Sequence, residues 1–276
     1  MAYVALNGVD HYYEWICNGK PGHRPTLVFL HGWGGSARYW ERTAHVMQDE
    51  FDCLLYDLRG FGRSSPAPAT TPELGALESF ADDLECLLTT LKLEQVFINA
   101  HSMGASVALY FLNRYPQRVN KAILTCNGSF EYDERAFNAF HTFGGYVVMF
   151  RPAWLARVPL APRFFMARFL KGDIPYEDKK VFLNDFLQAD TATAMGTLKA
   201  SVSKHATETM PEAFSALKVP TLIISGQYDR ITPAELGRQA ASLSNHIKYA
   251  EVPDTGHFPM LEDATTYLAM VREFLS

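Results

Sequence analysis

The sequence contains few cysteines, and their spacing suits no metal site. Four thiols are spread over 276 residues, with no CxxC pair and none of the clustered cysteine and histidine spacing that zinc requires. We therefore expect no bound metal and four reduced cysteines that mostly pack as small apolar residues. They are Cys17, Cys53, Cys86 and Cys126.

An excess of positive charge and a long apolar run are also lacking. The 25 Lys and Arg residues against 30 Asp and Glu give a formal net charge of −5, so we expect no nucleic-acid partner. The most apolar patch, residues 140–150, contains glycines and a histidine and is too short to span a membrane. The opening MAYVALNGVDHYYEW shows no pattern of a secretion signal, which predicts a cytoplasmic location.

The composition is that of a packed globular protein, with 48% hydrophobic and 20% charged residues. A chain of 276 residues suits one α/β domain with an insertion. Short apolar runs alternate with amphipathic segments such as residues 80–91, which predicts a mainly parallel sheet with helices on both faces. The predicted strands are 10–17, as an edge strand, and 26–30, 51–56, 95–99, 119–126, 220–225 and 247–252, and a helix is expected over 36–48.

The alternation stops between about residue 130 and residue 215. Fourteen of the chain's 36 aromatic residues lie in 130–186, interleaved with arginines. We interpret residues 130–215 as a helical cap inserted into a core formed by 1–129 and 216–276, and we expect most of its arginines to face solvent. They are Arg135, Arg151, Arg157, Arg163 and Arg168.

The stretch INAHSMGAS places Ser102 where a buried strand gives way to a helix. Ala100 and Gly104 lie two residues to either side, and a sharp turn between strand and helix needs small residues there. Such a serine is either a nucleophile above the sheet edge or an ordinary helix-capping residue. The stretch alone leaves both interpretations open.

Three further loops that follow predicted strands contain candidate residues. HGWGGS follows TLVFL, Asp229 follows PTLIIS, and His257 follows the last strand. A glycine-rich loop after a strand can hold a phosphate, but neither GxGxxG nor GxxxxGK[ST] is present. An aspartate in such a turn is commonly a turn or cap residue, so Asp229 taken alone has two interpretations.

Together and in this order, these segments resemble the α/β-hydrolase fold family, in which Ser, Asp or Glu, and His follow one another along the chain. The resemblance implies that Ser102 is the nucleophile, His257 its base and Asp229 the acid that orients the base. It also implies that the backbone N–H groups of Trp33 and Met103 form an oxyanion hole.

Residues close in sequence to these candidates are expected to have structural roles. Ala100 departs by one methyl group from the family's usual Gly-x-Ser-x-Gly, a departure that the turn is expected to tolerate. Asn127 lies where some relatives have the acid, but an amide cannot supply the charge. Asp254 is expected to fix the turn before His257. The segment DLRGFGRSS, residues 57–65, resembles a family loop whose role is mainly structural.

Other histidines are expected to have no part in the chemistry. The side chain of His101 should point away from the Ser102 hydroxyl. Four further histidines are expected at sheet edges or on solvent faces, where they would simply titrate. They are His11, His23, His45 and His246.

The resemblance implies a serine hydrolase that cleaves carboxylic esters of small to medium apolar substrates through an acyl-enzyme, without a cofactor. Serine rather than aspartate at position 102 disfavours the family branches that need a carboxylate nucleophile. Two alternatives stay open: carbon–carbon bond cleavage by a hydrolase or a menaquinone-pathway type of lyase with the same residues, and a ligand-sensing receptor of the same fold. The sequence leaves the oligomeric state open.

Overall fold

The computed structural model describes residues 2–68 and 75–276, so Met1 and residues 69–74 of the predicted core lie outside the described residues. Its centre is an eight-stranded sheet in the order β1-β2-β4-β3-β5-β6-β7-β8. The pairs β1/β2 and β2/β4 are antiparallel and all others are parallel. The strands are β1 (Ala2–Leu6), β2 (Val9–Ile16), β3 (Thr26–Leu30), β4 (Asp52–Tyr56), β5 (Val96–His101), β6 (Val119–Thr125), β7 (Thr221–Gly226) and β8 (Ile247–Val252).

The predicted strands are confirmed, but the prediction of an edge strand at residues 10–17 is wrong. This segment lies in β2, which pairs with β1 on one side and β4 on the other. The edge is β1, a strand with alternating exposure that the sequence analysis did not identify. The expected exposure of His11 is wrong for the same reason, because its position inside the sheet buries it completely.

Alternate residues of the central strands fill two separate cores, one on each face of the sheet. In β3, Val28 and Leu30 join the core beneath α2 and α3, whereas Leu27 and Phe29 join the core beneath α1 and α11. All five residues of β3 are buried, as expected for a parallel strand covered on both faces.

Helices cover both faces of the sheet, and the predicted helix over residues 36–48 is divided. Ser36 accepts a hydrogen bond from the N–H of Arg38 and caps a 3-10 helix, Ala37–Trp40, which continues into α1. The α-helices are α1 (Glu41–Met47), α2 (Leu77–Thr90), α3 (Met103–Arg114), α4 (Glu134–Met149), α5 (Ala161–Met166), α6 (Tyr176–Gln188), α7 (Thr191–Ser201), α8 (Lys204–Ser215), α9 (Ala234–Ala241), α10 (Pro259–Glu262) and α11 (Ala264–Leu275).

Five of these helices, α4 to α8, lie in sequence between the neighbouring strands β6 and β7, with a 3-10 helix at Ala153–Arg157. The segment contains no strand, as expected for residues 130–215; its boundaries as a cap stay a prediction. Four of its five arginines are exposed, and Arg151 is half-buried. No helix in the described part of the chain is both long enough and apolar enough to cross a membrane.

The strand order reverses between β3 and β5. From β3 the chain moves outward to β4 and returns to form β5 on the other side of β3. The loops after β3 and β5 therefore leave adjacent strands at the same edge of the sheet, and open parallel sheets bind ligands at such a point. The loops that contain Trp33 and Ser102 meet there.

Candidate active site

Ser102 occupies a strained turn between β5 and α3. Its φ of 53° and ψ of −122° lie outside the helical and extended regions, and its hydroxyl caps no N–H of α3. The backbone holds this conformation because the N–H of Ser102 donates to the carbonyl of Thr125 at 2.8 Å. A helix-capping serine would have extended backbone and a hydrogen bond to the helix, so the capping interpretation is wrong for Ser102.

The small residues beside Ser102 permit a close approach of two loops. A methyl group at Gly104 would collide with the carbonyl oxygen of His31, in the loop after β3. Ala100 is fully buried in β5, and its methyl group is accommodated within the core. The sequence therefore places glycine at the flanking position where a side chain has no room.

The structure brings Ser102, His257 and Asp229 together, although 155 residues separate the serine from the histidine. The Ser102 hydroxyl lies 3.0 Å from His257 Nε2, and His257 Nδ1 lies 2.7 Å from Asp229 Oδ2. A carboxylate accepts from Nδ1–H, which leaves Nε2 as the acceptor for the serine proton. The geometry can thus transfer a proton from the Ser102 hydroxyl to His257.

Backbone groups hold the acid and the imidazole in place. Asp229 Oδ1 accepts from the N–H groups of Ile231 at 2.8 Å and Thr232 at 3.1 Å, so both carboxylate oxygens are occupied. The N–H of His257 donates to the carbonyl of Phe169 at 2.7 Å. Asp254 has a left-handed backbone with a φ of 53°, which agrees with its expected role in the turn.

A second hydrogen-bonded chain runs behind these residues. The N–H of Gly32 donates to the Tyr39 hydroxyl, which lies 3.0 Å from His101 Nδ1, and His101 Nε2 lies 2.7 Å from the carbonyl of His257. Burial lowers the pKa of His101 well below its usual value, so its ring is neutral. A neutral ring that donates from Nε2 accepts at Nδ1, which fixes the Tyr39 hydroxyl as the donor there.

This series of hydrogen bonds joins the loop after β3, the residue before Ser102 and the loop of His257. His101 forms no hydrogen bond with the Ser102 hydroxyl, in line with its expected orientation away from it. The sequence analysis missed Tyr39 and the contact of His101 with His257. No local motif marks either, because the contacts join segments that only the folded sheet brings together.

Trp33 and Met103 lie on the two sides of the Ser102 turn. Among the described residues, no acceptor pairs with the backbone N–H of Trp33 or of Met103. Gly32 approaches so closely that a Cβ atom there would lie 3.1 Å from Ser102 Cβ. Free N–H groups of this kind are the donors that an oxyanion needs.

A cavity of about 610 Å3 opens above Ser102, and ten of the side chains that line it are Phe or Trp. Helices α4, α5 and α6 contribute most of them, including Phe143, Phe165 and Phe186. Among the described lining residues, Arg168 is the single Lys, Arg, Asp or Glu. The cavity therefore suits an apolar ligand of moderate size, with one cation at its border.

Cys126 and Asn127 lie at the base of the site. Asn127 Nδ2 donates to Ser106 Oγ at 2.9 Å and to the Ser102 carbonyl at 3.3 Å. Burial raises the pKa of the Cys126 thiol well above its usual value, so the thiol stays protonated. Donor atoms of Cys126, His101 and His257 lie within 4.8 Å of one another, but both ring nitrogens of each histidine already take part in hydrogen bonds. A metal ion would have to displace these bonds.

The segment 57–65 is a hydrogen-bonded scaffold, as its resemblance implied. The Asp57 carboxylate accepts from the N–H of Ala37 at 2.8 Å and from Arg63, whose guanidinium lowers the pKa of Asp57 despite the burial that opposes it. Arg59 forms a buried ion pair with Asp83 at 2.6 Å. These contacts tie the segment to the 3-10 helix before α1 and to α2.

All four cysteines are free, although Cys17 and Cys86 are only partly buried.

The sequence matches a family model described as alpha/beta hydrolase fold over residues 25–264. YugF, an uncharacterized hydrolase of Bacillus subtilis, is 26% identical over 253 residues, which cover 91% of this chain and 89% of that protein. A thermophilic esterase from Thermogutta terrifontis superimposes with a TM-score of 0.80 at 22% identity, covering 99% of this chain and 97% of that one. The enol-lactonase from Burkholderia xenovorans LB400 has a TM-score of 0.80 at 20% identity, covering 99% of each chain. Since the family model covers well over half of the chain, the protein belongs to the α/β hydrolase fold family and is a hydrolase of that fold.

Proposed function

We propose that the protein hydrolyses carboxylic esters of small to medium apolar substrates through an acyl-enzyme formed on Ser102. The observation behind the proposal is the continuous line of hydrogen bonds from the Ser102 hydroxyl through the His257 ring to Asp229. A serine hydroxyl becomes a nucleophile when a neighbouring base accepts its proton, and a carboxylate can hold that base in the required tautomer.

In the proposed reaction, His257 Nε2 takes the Ser102 proton as Oγ attacks the ester carbonyl carbon. Asp229 stabilises the imidazolium, and the N–H groups of Trp33 and Met103 donate to the oxyanion. The imidazolium then protonates the departing alkoxide. Water hydrolyses the acyl-enzyme by giving a proton to the same imidazole, which returns it to Ser102.

Esters are the preferred substrate class because an alkoxide leaves more readily than an amine or a carbanion. The aromatic lining of the 610 Å3 cavity favours an apolar acyl or alcohol group. Two structural neighbours described as an esterase and an enol-lactonase support a reaction at an ester-type carbonyl.

We further propose that residues 130–215 act as a cap on a core of 1–129 and 216–276. The expected cytoplasmic location stays a prediction.

Covalent labelling tests the nucleophile. A fluorophosphonate probe should label the wild-type chain and leave Ser102→Ala unlabelled. Ser106→Ala is the matched control, because Ser106 lines the same cavity but bonds Asn127 rather than His257; it should be labelled like the wild type. Equal labelling of Ser102→Ala and the wild type would contradict the assignment.

Turnover tests the reaction. A panel of p-nitrophenyl esters of increasing acyl length should be hydrolysed repeatedly, and Ser102→Ala should reduce kcat by roughly a thousandfold or more. If the probe labels Ser102 but no ester is turned over, the ester assignment fails. Carbon–carbon bond cleavage or ligand sensing would then be the better account.

A further inference from the structure

The surface between residues 140 and 164 exposes an unusual amount of apolar area. Nine of the fifteen exposed large hydrophobic side chains of the described residues lie in this stretch. We call this surface the aromatic face and define it by its most exposed rings, Phe143, Tyr146, Phe150, Trp154 and Phe164, which are 58% to 76% exposed. Monomeric proteins rarely leave such apolar area in contact with water unless it binds something.

Two of the five rings border the cavity, and the other three lie between them in the chain. Phe143, Tyr146 and Phe150 follow the spacing i, i+3, i+7, and the N–H of Phe150 continues the α4 pattern by donating to the carbonyl of Tyr146 at 2.9 Å. Trp154 follows in the 3-10 helix, and Phe164 lies on α5. Phe143 and Phe164 both line the cavity, so the two ends of the stretch meet at its opening.

One exposed residue of this stretch has an unusual backbone conformation. Leu160 has a left-handed backbone with a φ of 68° and is 52% exposed. Glycine or asparagine fits such a position with less strain than leucine does. Strained backbone conformations cluster at active sites, ligand-binding segments and switch regions.

The charge of this region is opposite to that of the rest of the chain. Residues 135–172 contain six Lys and Arg residues and no Asp or Glu. Since the whole chain has a formal net charge of −5, the remaining residues sum to −5 − 6 = −11. Arg157, Arg163 and Arg168 are exposed, and none forms an ion pair with a described residue.

We propose that the aromatic face docks on an anionic phospholipid surface. Exposed aromatic rings enter the boundary between headgroups and acyl chains, and nearby arginines pair with the lipid phosphates. A second copy of the chain is a poorer occupant, because a two-fold contact would bring the same cluster of arginines together. If the proposed esterase function also holds, the cavity mouth faces the lipid and takes apolar esters directly from it.

Vesicle sedimentation tests the docking separately from catalysis. The full chain with Ser102→Ala should sediment with vesicles of phosphatidylcholine mixed with phosphatidylglycerol, and only weakly with phosphatidylcholine alone. Added salt should weaken the binding, since it screens exposed charges. Because this readout needs no turnover, the docking proposal and the esterase proposal can fail independently.

Two double variants in the Ser102→Ala chain address the two components of the surface. Phe150→Ser with Trp154→Ser should lower the partition coefficient by at least roughly tenfold, because burying even one aromatic side chain raises that coefficient by more than about tenfold. Arg157→Gln with Arg163→Gln should lower it by roughly 25-fold, about fivefold for each cation. Tyr3→Ser with Val46→Ser is the control, since both residues are exposed but lie outside the aromatic face, in β1 and α1. This variant should bind like the parent.

Three outcomes of the vesicle experiments would overturn the proposal. They are failure to sediment with the anionic vesicles, equal sedimentation with both vesicle types, and binding by both double variants at the level of the control. Sedimentation velocity provides a further check. A dimer that Phe150→Ser with Trp154→Ser dissociates would show that the aromatic face joins two copies of the chain instead. Thermal unfolding of each variant establishes that the exposed substitutions leave the fold intact.

Discussion

The Tyr39 hydroxyl lies where three parts of the site meet. It accepts from the N–H of Gly32 and donates to His101, which in turn donates to the carbonyl of His257. Tyr39→Phe would leave a buried N–H and a buried imidazole nitrogen without a partner, a loss of about 1–3 kcal/mol. We expect kcat to fall by roughly tenfold with little change in KM, because the hydroxyl positions the loop of Trp33 and contacts no substrate.

Tyr267→Phe is the matched control for this prediction. The Tyr267 hydroxyl is equally buried and donates to Asn99 Oδ1 at 2.8 Å, with Thr125 at 2.8 Å as its other partner. Its loss should lower the free energy of unfolding by a similar amount while kcat stays near the wild-type value. Steady-state kinetics and denaturant unfolding of both variants measure the difference. An equal loss of kcat in both would show that Tyr39 has only a general structural role.

Sequence reasoning located the residues that adjoin strand ends. Ser102, Asp229 and His257 each follow an apolar run, and the edge of a parallel sheet brings such positions together. It failed for His11, because neighbouring residues do not reveal that β1 covers β2. It could not identify Tyr39, since its hydroxyl bonds Gly32 in the loop after β3 and His101 at the end of β5, and only the complete fold brings these segments together.

Asp185 connects α6 with the core across a buried contact. Its carboxylate accepts from the Ser36 hydroxyl and forms an ion pair with Arg38, just before α1. Burial raises the pKa of Asp185 to about 6, against the opposing effects of the Ser36 hydrogen bond and the Arg38 charge. The contact joins α6 to the 3-10 helix at Ala37–Trp40. Because the cost of burying the charge outweighs the Ser36 and Arg38 contacts, the folded state is more stable when the carboxyl is protonated.

The raised pKa predicts how Asp185→Asn changes stability with pH. The folded state binds the proton more tightly than the unfolded state, whose pKa is near 3.8. The wild type therefore loses stability as pH rises from about 4 to about 6, whereas Asp185→Asn has no such term. The difference in the free energy of unfolding should move in favour of the variant by about 2 kcal/mol over this range.

Denaturant unfolding across this pH range measures the effect, with Glu177→Gln as the control. Glu177 lies on the same helix but is exposed, so its substitution should leave the pH dependence unchanged. A constant difference between Asp185→Asn and the wild type from pH 4 to pH 7 would show that the buried carboxyl does not titrate with a raised pKa.

The elements were predictable to the extent that their residues form continuous patterns. Strands such as β3 and β7 are uninterrupted apolar runs, and their positions agree with the prediction. The five helices of residues 130–215 could not be delimited, because their apolar residues face both the cavity and the solvent. A helical periodicity cannot be assigned to a core face when two faces of a helix are apolar.

Three buried histidines in the described part of the chain have a pKa below the usual value. Burial is the main cause that lowers the pKa of His31 and of His101, and it lowers the pKa of His11 from 6.5 to about 4. In each case the unfolded chain binds a proton at a pH where the folded chain does not. The fold should therefore lose stability as pH falls below about 6.5, through all three sites together.

His11 is the site at which this acid sensitivity can be removed without touching the proposed chemistry. Its Nδ1 lies 2.7 Å from the Tyr56 hydroxyl, while its Nε2 has no partner among the described residues. Glutamine offers the Tyr56 hydroxyl both a donor and an acceptor, and its amide is not protonated in this pH range. Relative to the wild type, His11→Gln should therefore gain up to about 3 kcal/mol of unfolding free energy as pH falls from 7 to 4.

The direction of this change distinguishes His11 from Asp185. A depressed histidine pKa gives stability that is fully present above pH 6.5 and lost toward pH 4, whereas the raised carboxyl pKa acts in the opposite sense over the same interval. The double variant's change in unfolding free energy relative to the wild type should therefore depend on pH less than that of either single variant. It should equal the sum of the two single changes, because the residues lie in separate parts of the fold. His23→Gln, at an exposed position, serves as the control and should follow the wild type at every pH. If His11→Gln also followed the wild type, protonation of the buried imidazole would not be what weakens the fold in acid.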